Sequence, residues 1–78
     1  MTEENVKRHV LAAVAGMCRQ RQFEGRAPIC VTYDEVFAAC PDLNSEQIHT
    51  ALHELQTDGD VRIRPAINQM TIYYLHLC

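Results

Sequence analysis

An α+β domain is the fold class this sequence predicts, and three observations predict it. Apolar residues recur at helical spacing in three separate segments before residue 60. Beyond that point the period changes to two. Val61 and Ile63 alternate with Arg62 and Arg64, then Met70, Ile72, Tyr74 and His76 alternate with Thr71, Tyr73, Leu75 and Leu77. Third, 78 residues hold one small domain, spanning 1–78, and leave no room for a Rossmann fold or a barrel enzyme.

The first helix starts at Thr2, which can cap it. It runs through Val6, Val10, Val14 and Met17, with Leu11 and Cys18 widening the stripe. Glu3 and Glu4 suit the positive end of its dipole, and Arg19 and Arg21 the negative end. Gly25 follows the end of the pattern, giving a helix of about four to five turns. Ala27-Pro28-Ile29-Cys30-Val31 is long enough only for a stub of strand.

Thr32-Tyr33-Asp34-Glu35 fits a capping box, in which Thr32 and Glu35 satisfy each other's orphan amides and open a second helix. Val36, Phe37 and Cys40 form its apolar face, and Pro41 stops it. Asn44-Ser45-Glu46-Gln47 is a second capping signal. Ile48, Ala51, Leu52 and Leu55 follow at helical spacing until Asp58-Gly59 ends the third helix. Ile48, Leu52 and Leu55 should pack against Val10, Val14 and Phe37. Pro65 to Gln69 carries turn residues, so the last two strands form a hairpin whose second strand runs to the chain end. The order is helix, strand stub, helix, tight turn through Pro41 to Leu43, helix, hairpin. That is the plan of a winged helix-turn-helix, a three-helix core with a small antiparallel sheet whose hairpin is the wing.

Composition narrows the function classes. At 47% hydrophobic and 22% charged residues, wholesale disorder is excluded. Seven Lys and Arg against ten Asp and Glu give a net charge of −3, which argues against a generic nucleic-acid-coating module. The apolar run Val10 to Cys18 follows Lys7 and Arg8 as a signal peptide would, but Glu3 and Glu4 spoil the positive leader. The run is also far short of the roughly 20 residues that span a bilayer. The expectation is a soluble, intracellular chain with no membrane contact and with Cys18, Cys30, Cys40 and Cys78 reduced.

The candidate site is the solvent face of the third helix: Glu46, His49, Thr50 and His53, with Thr57 beyond them. A DNA-reading helix at this place presents Arg, Lys, Asn or Gln to the major groove. From Ala27 to Asp60 there is no Lys or Arg, while Asp34, Glu35, Asp42, Glu46, Glu54, Asp58 and Asp60 all lie inside. Such a stretch is repelled by a polyanion. The face is therefore either a solvated polar surface or a protein contact. Arg62 and Arg64 share one face of the first wing strand, where they touch an acidic partner or phosphates, or else guard a strand edge.

His49 and His53, four apart, have the spacing of a metal clamp, and Cys40 is near in sequence, but no second matched pair completes a site. No metal or cofactor is expected. No strained or glycine-rich turn displays a nucleophile, so no enzyme activity and no small-molecule substrate are expected either. Tyr73 and Tyr74 read as one surface and one core strand residue rather than a base-stacking platform.

The segment Ser45-Glu46-Gln47-Ile48-His49-Thr50-Ala51-Leu52-His53-Glu54-Leu55-Gln56-Thr57-Asp58-Gly59-Asp60-Val61 resembles the C-terminal winged-helix domain of minichromosome maintenance (MCM) replicative helicase subunits, three and five of the eukaryotic hexamer above all. The shared features are a helix with an acidic start and an Ile-x-x-Ala-Leu core pattern, then an Asp/Gly turn and a short wing. The resemblance covers mainly residues 43 to 77, and the first helix matches only in length and apolar pattern. The family's ATPase motifs are absent, so no catalytic residue carries over.

What the resemblance implies is a nuclear accessory domain of a DNA-replication assembly. Its partners would be a replication loading factor or another helicase or origin subunit, with weak or no DNA binding. Glu46, His49, Thr50, His53, Arg62 and Arg64 are the expected partner-binding residues. Two alternatives stay open: a small winged-helix DNA-binding transcription regulator, and a scaffold winged helix in a non-nuclear complex such as the membrane-sorting assemblies. A DNA binder would lose affinity steeply with salt and with loss of Arg62 and Arg64.

Overall fold

The structure, a computed structural model, describes residues 3–26 and 29–76. Three helices and a three-stranded antiparallel sheet follow in the order α1 (Glu3–Phe23), β1 (Val31–Thr32), α2 (Tyr33–Ala39), α3 (Ser45–Asp58), β2 (Val61–Ala66) and β3 (Gln69–Tyr74). This small α+β arrangement is compatible with a winged-helix layout.

At 21 residues, α1 is longer than the apolar stripe suggests, close to six turns. Arg19, Gln20, Arg21 and Gln22 add no apolar positions, yet Arg and Gln are good helix formers, so the backbone continues through them. It stops at Gly25, whose φ of 73° suits glycine; Gly25 N–H donates to the Gln22 carbonyl and Arg26 N–H to that of Arg21. The expected cap Thr2 lies outside the described residues.

Both capping boxes form. Glu35 N–H donates to Thr32 Oγ1 and Thr32 N–H to Glu35 Oε1, opening α2. Gln47 N–H donates to Asn44 Oδ1 at 2.8 Å and Asn44 N–H to Gln47 Oε1 at 3.0 Å, opening α3. Gly59, at φ 85°, closes α3 with the same two backbone bonds that close α1. The strand stub is shorter and later than the apolar run: only Val31–Thr32 pair, and Thr32 serves at once as strand residue and helix cap. Ala27 and Pro28 lie outside the described residues.

The sheet order is β1-β3-β2, with Val31 opposite Ile72 and a β2–β3 ladder from Val61–Tyr74 to Ala66–Gln69. The turn is tighter than expected. Only Ile67 and Asn68 connect the strands, Asn68 at φ 71°, while Pro65 and Ala66 remain in β2. β2 is an edge strand, so Pro65 lacks a donor that no ladder bond needs. Nor does the second strand reach the chain end. It stops at Tyr74 because the ladder's partner strand begins at Val61, and Leu75 N–H instead donates to the Asp60 carbonyl at 3.0 Å. Leu77 and Cys78 lie outside the described residues.

One core joins all the elements. Val10 and Val14 of α1, Val36 of α2, Ile48, Leu52 and Leu55 of α3, and Val31, Val61 and Ile72 of the sheet are all buried in a single cluster. Phe37 packs at its margin, half-buried, as Tyr74 does. No polar or charged side chain is buried among the described residues, so the core rests on apolar packing alone.

Candidate functional site

Because Ile48, Ala51, Leu52 and Leu55 point into the core, the 3.6-residue period of α3 turns Glu46, His49, Thr50 and His53 outward, and all four are exposed. His49 is nonetheless held. Its ring meets Tyr33 edge-on, centroids 4.6 Å apart at 76°, and Phe37 at 5.9 Å and 72°. Tyr33 and Phe37, one turn apart on α2, stack at 6.1 Å and 11°. The helix face that sequence reasoning left open to solvent is thus partly walled by α2.

The wall creates a groove of about 460 Å³ lined by Tyr33, His49, Thr50, His53, Glu54 and Ile63, drawing on α2, α3 and β2. His49, Thr50 and His53 are brought together there. Glu46 is not: it lines a second hollow of about 220 Å³ with Val6, Asn44, Gln47, Thr50, Ala51 and Glu54. Thr50 and Glu54 border both hollows, so the two run together across the outer face of α3. Thr57 contributes nothing to either; its hydroxyl donates to the His53 carbonyl at 3.0 Å.

Sequence reasoning missed Tyr33, Ile63 and the outer role of Phe37. The i,i+4 spacing of Tyr33 and Phe37 was a usable signal, but which helix they would face is a tertiary fact. Burial pushes the Tyr33 phenol above its ordinary value, so it stays a neutral hydrogen-bond donor through the physiological range.

Arg62 and Arg64 stand exposed on the outer face of the hairpin, paired in register with Tyr73 and Thr71, and neither forms an ion pair among the described residues. The α1 cations are engaged. Lys7 pairs with Asp58, whose hydrogen bond holds the ammonium above its ordinary value, Arg8 pairs with Glu4 at 3.0 Å, and Arg21 pairs with Glu35. Arg19 lies over the Tyr74 ring, 5.7 Å from its centroid.

The open edge of β2 is closed by other means than charge. Ile63 N–H donates to Gln56 Oε1 at 2.8 Å, and Pro65, the next residue on that side, has no N–H to offer.

Among the described residues no three His, Cys, Asp or Glu side chains gather where they could hold a metal ion. Cys18, Cys30 and Cys40 are unpaired, and burial raises the thiols of Cys18 and Cys40 above the ordinary value. No helix among the described residues is long and apolar enough to cross a membrane. No family model, curated protein or solved structure matches the chain.

Proposed function

We propose that the chain is a non-catalytic winged-helix module that docks a protein partner on α3 and the β2–β3 wing, and binds DNA weakly or not at all. The element order and the β1-β3-β2 sheet support the winged-helix assignment. The observation that carries the docking reading is the groove itself. Where a recognition helix would offer cations to a major groove, α3 presents two histidines, Glu46 and Glu54 beside the Tyr33 wall that α2 supplies. Aromatic-lined concavities with a polar rim suit protein contacts. Carboxylates facing phosphates do not.

The resemblance of residues 43–77 to MCM C-terminal domains supports a nuclear place in a helicase-loading assembly, with a loading factor or another helicase or origin subunit as partner. The second reading, DNA contact led by the wing, has one specific observation in its favour: Arg62 and Arg64 are exposed and unpaired among the described residues.

A titration of fluorescent duplex DNA near physiological salt separates the two. Docking predicts affinity no better than the non-specific range of about 10⁻⁴–10⁻⁶ M. Capture of the loading factor should be lost in a folded Glu46→Ala, His49→Ala, His53→Ala triple variant. Submicromolar DNA binding abolished by substituting His49, Thr50 or His53 would instead establish groove readout.

A further inference from the structure

The hairpin tip carries Ile67 at 90% exposure, on the strand pair that also projects Arg62 and Arg64. An apolar knob at the tip, with two free cations further back along the same strand, is the complement of the α3 groove, which carries the Tyr33 ring and is acidic at its rim through Glu54 and the adjoining Glu46. Knob and groove lie side by side, because Ile63 of β2 lines the groove and the same strand leads directly to Ile67.

We infer that two copies of this chain pair reciprocally, each laying its Arg62–Arg64–Ile67 wing into the Tyr33–His49–His53–Ile63 groove of the other.

Three points support this occupant. The charges are complementary, and among the described residues Arg62, Arg64, Glu46 and Glu54 form no ion pair, Glu54 acting on Lys7 only at longer range. The commonest alternative for an edge strand, main-chain pairing with a second copy, is disfavoured because Gln56 covers the Ile63 amide and Pro65 has none. Along β2 the contact therefore runs through side chains. Last, a two-fold arrangement uses knob and groove twice and closes on itself at two copies, whereas a one-way contact would propagate into a larger ring or a filament. The doubled contact also brings so small a domain nearer the roughly 1,000 Å² that a specific interface needs. The pairing covers the same groove that the partner-docking reading uses, and it rests on that reading, so self-association would compete with partner capture.

The test is sedimentation equilibrium of the chain from about 10 μM to about 1 mM, concentrations that bracket weak association. The mass should rise with concentration from 8.9 kDa toward twice that value. The rise should weaken at about 1 M salt, where the Debye length shrinks to about 3 Å. Arg62→Glu/Arg64→Glu and Glu46→Lys/Glu54→Lys should each abolish the rise, since each places like charges in both contacts. Their equimolar mixture should recover it, because both contacts of the mixed pair are again complementary. Ile67→Asn, which leaves every charge in place, should weaken the pair at least tenfold.

A chain that stays monomeric throughout, a mixture that fails to recover, or growth past the dimer would each overturn the pairing. Circular dichroism of each variant confirms that it is folded. A monomer that still captures a partner through His49 and His53 refutes only the pairing; a dimer that captures none refutes only the partner.

Discussion

Arg21→Met tests how the α1 end is fastened to the segment that positions the groove. The Arg21 side chain is 17% exposed, pairs with Glu35, and donates to the carbonyl of Cys30. Glu35 is also the return arm of the capping box that opens α2, the helix bearing Tyr33 and Phe37. Methionine keeps most of the stem's packing and removes only the charge and the donors. Leaving a half-buried carbonyl and carboxylate without their partner costs about 1–3 kcal/mol for the hydrogen bond to a charged donor. The ion pair itself adds less, because Glu35 is 36% exposed and water screens it, so it falls nearer the ~1 kcal/mol of surface pairs than the 3–5 kcal/mol of buried ones. The sum is about 2–3 kcal/mol, which for a domain of this size lowers the melting temperature by roughly 8–24 °C. Thermal unfolding followed by circular dichroism reads it. A double-mutant cycle with Glu35→Gln should return a coupling near 1 kcal/mol. A melting temperature within two or so degrees of the parent would refute the fastening role.

Leu52→Ala, at a fully buried core position, should cost about 2–5 kcal/mol in urea unfolding, a large share of the ~4–12 kcal/mol available to a chain this long. Gly59→Ala should cost about 1–2 kcal/mol although nothing crowds an added Cβ, because φ is 85°; Gly59→Asn should recover part of the loss. The raised thiols of Cys18 and Cys40 mean that the folded chain holds those protons more tightly than the unfolded one. Their contribution is fully present below the ordinary thiol value of 9.0 and is lost as pH rises through the folded value. Denaturant midpoints should therefore fall above about pH 9, and less so in Cys18→Ala/Cys40→Ala. Both cysteines should react with a thiol reagent only as fast as the domain opens, with no change of melting temperature on adding reductant.

The three helices, both capping boxes and the glycine that closes α3 were legible because each is written in consecutive residues. Thr32 with Glu35, Asn44 with Gln47, and Asp58-Gly59 need no tertiary information. The core was legible too, since the 3.6-residue period of Ile48, Leu52 and Leu55 fixes which side of α3 turns inward. Element ends were less so. The polar tail of α1 stays helical by propensity alone, and Pro65 remains in β2 because that strand is an edge, which the sequence does not state.

The site was half legible. Periodicity placed His49, Thr50 and His53 on one outer face, but the Tyr33 and Phe37 rings against His49 depend on how α2 crosses α3. The Arg21–Glu35 tie likewise joins residues whose meeting only the fold decides.

The place of β3 between β1 and β2 sets the order in which the domain can be completed during synthesis. All three helices leave the ribosome before β3 does, yet neither β1 nor β2 has a strand to pair with until residues 69–74 emerge. The nascent chain must carry Val31 and Val61 uncovered while it waits, with the loop from Val31 to Ile72 closing last across more than half its length. Folding is therefore expected to be a single step that waits for residues 69–74 to emerge rather than a helix-by-helix accretion. A stop before Gln69 would leave a helical but sheetless chain exposed to proteases.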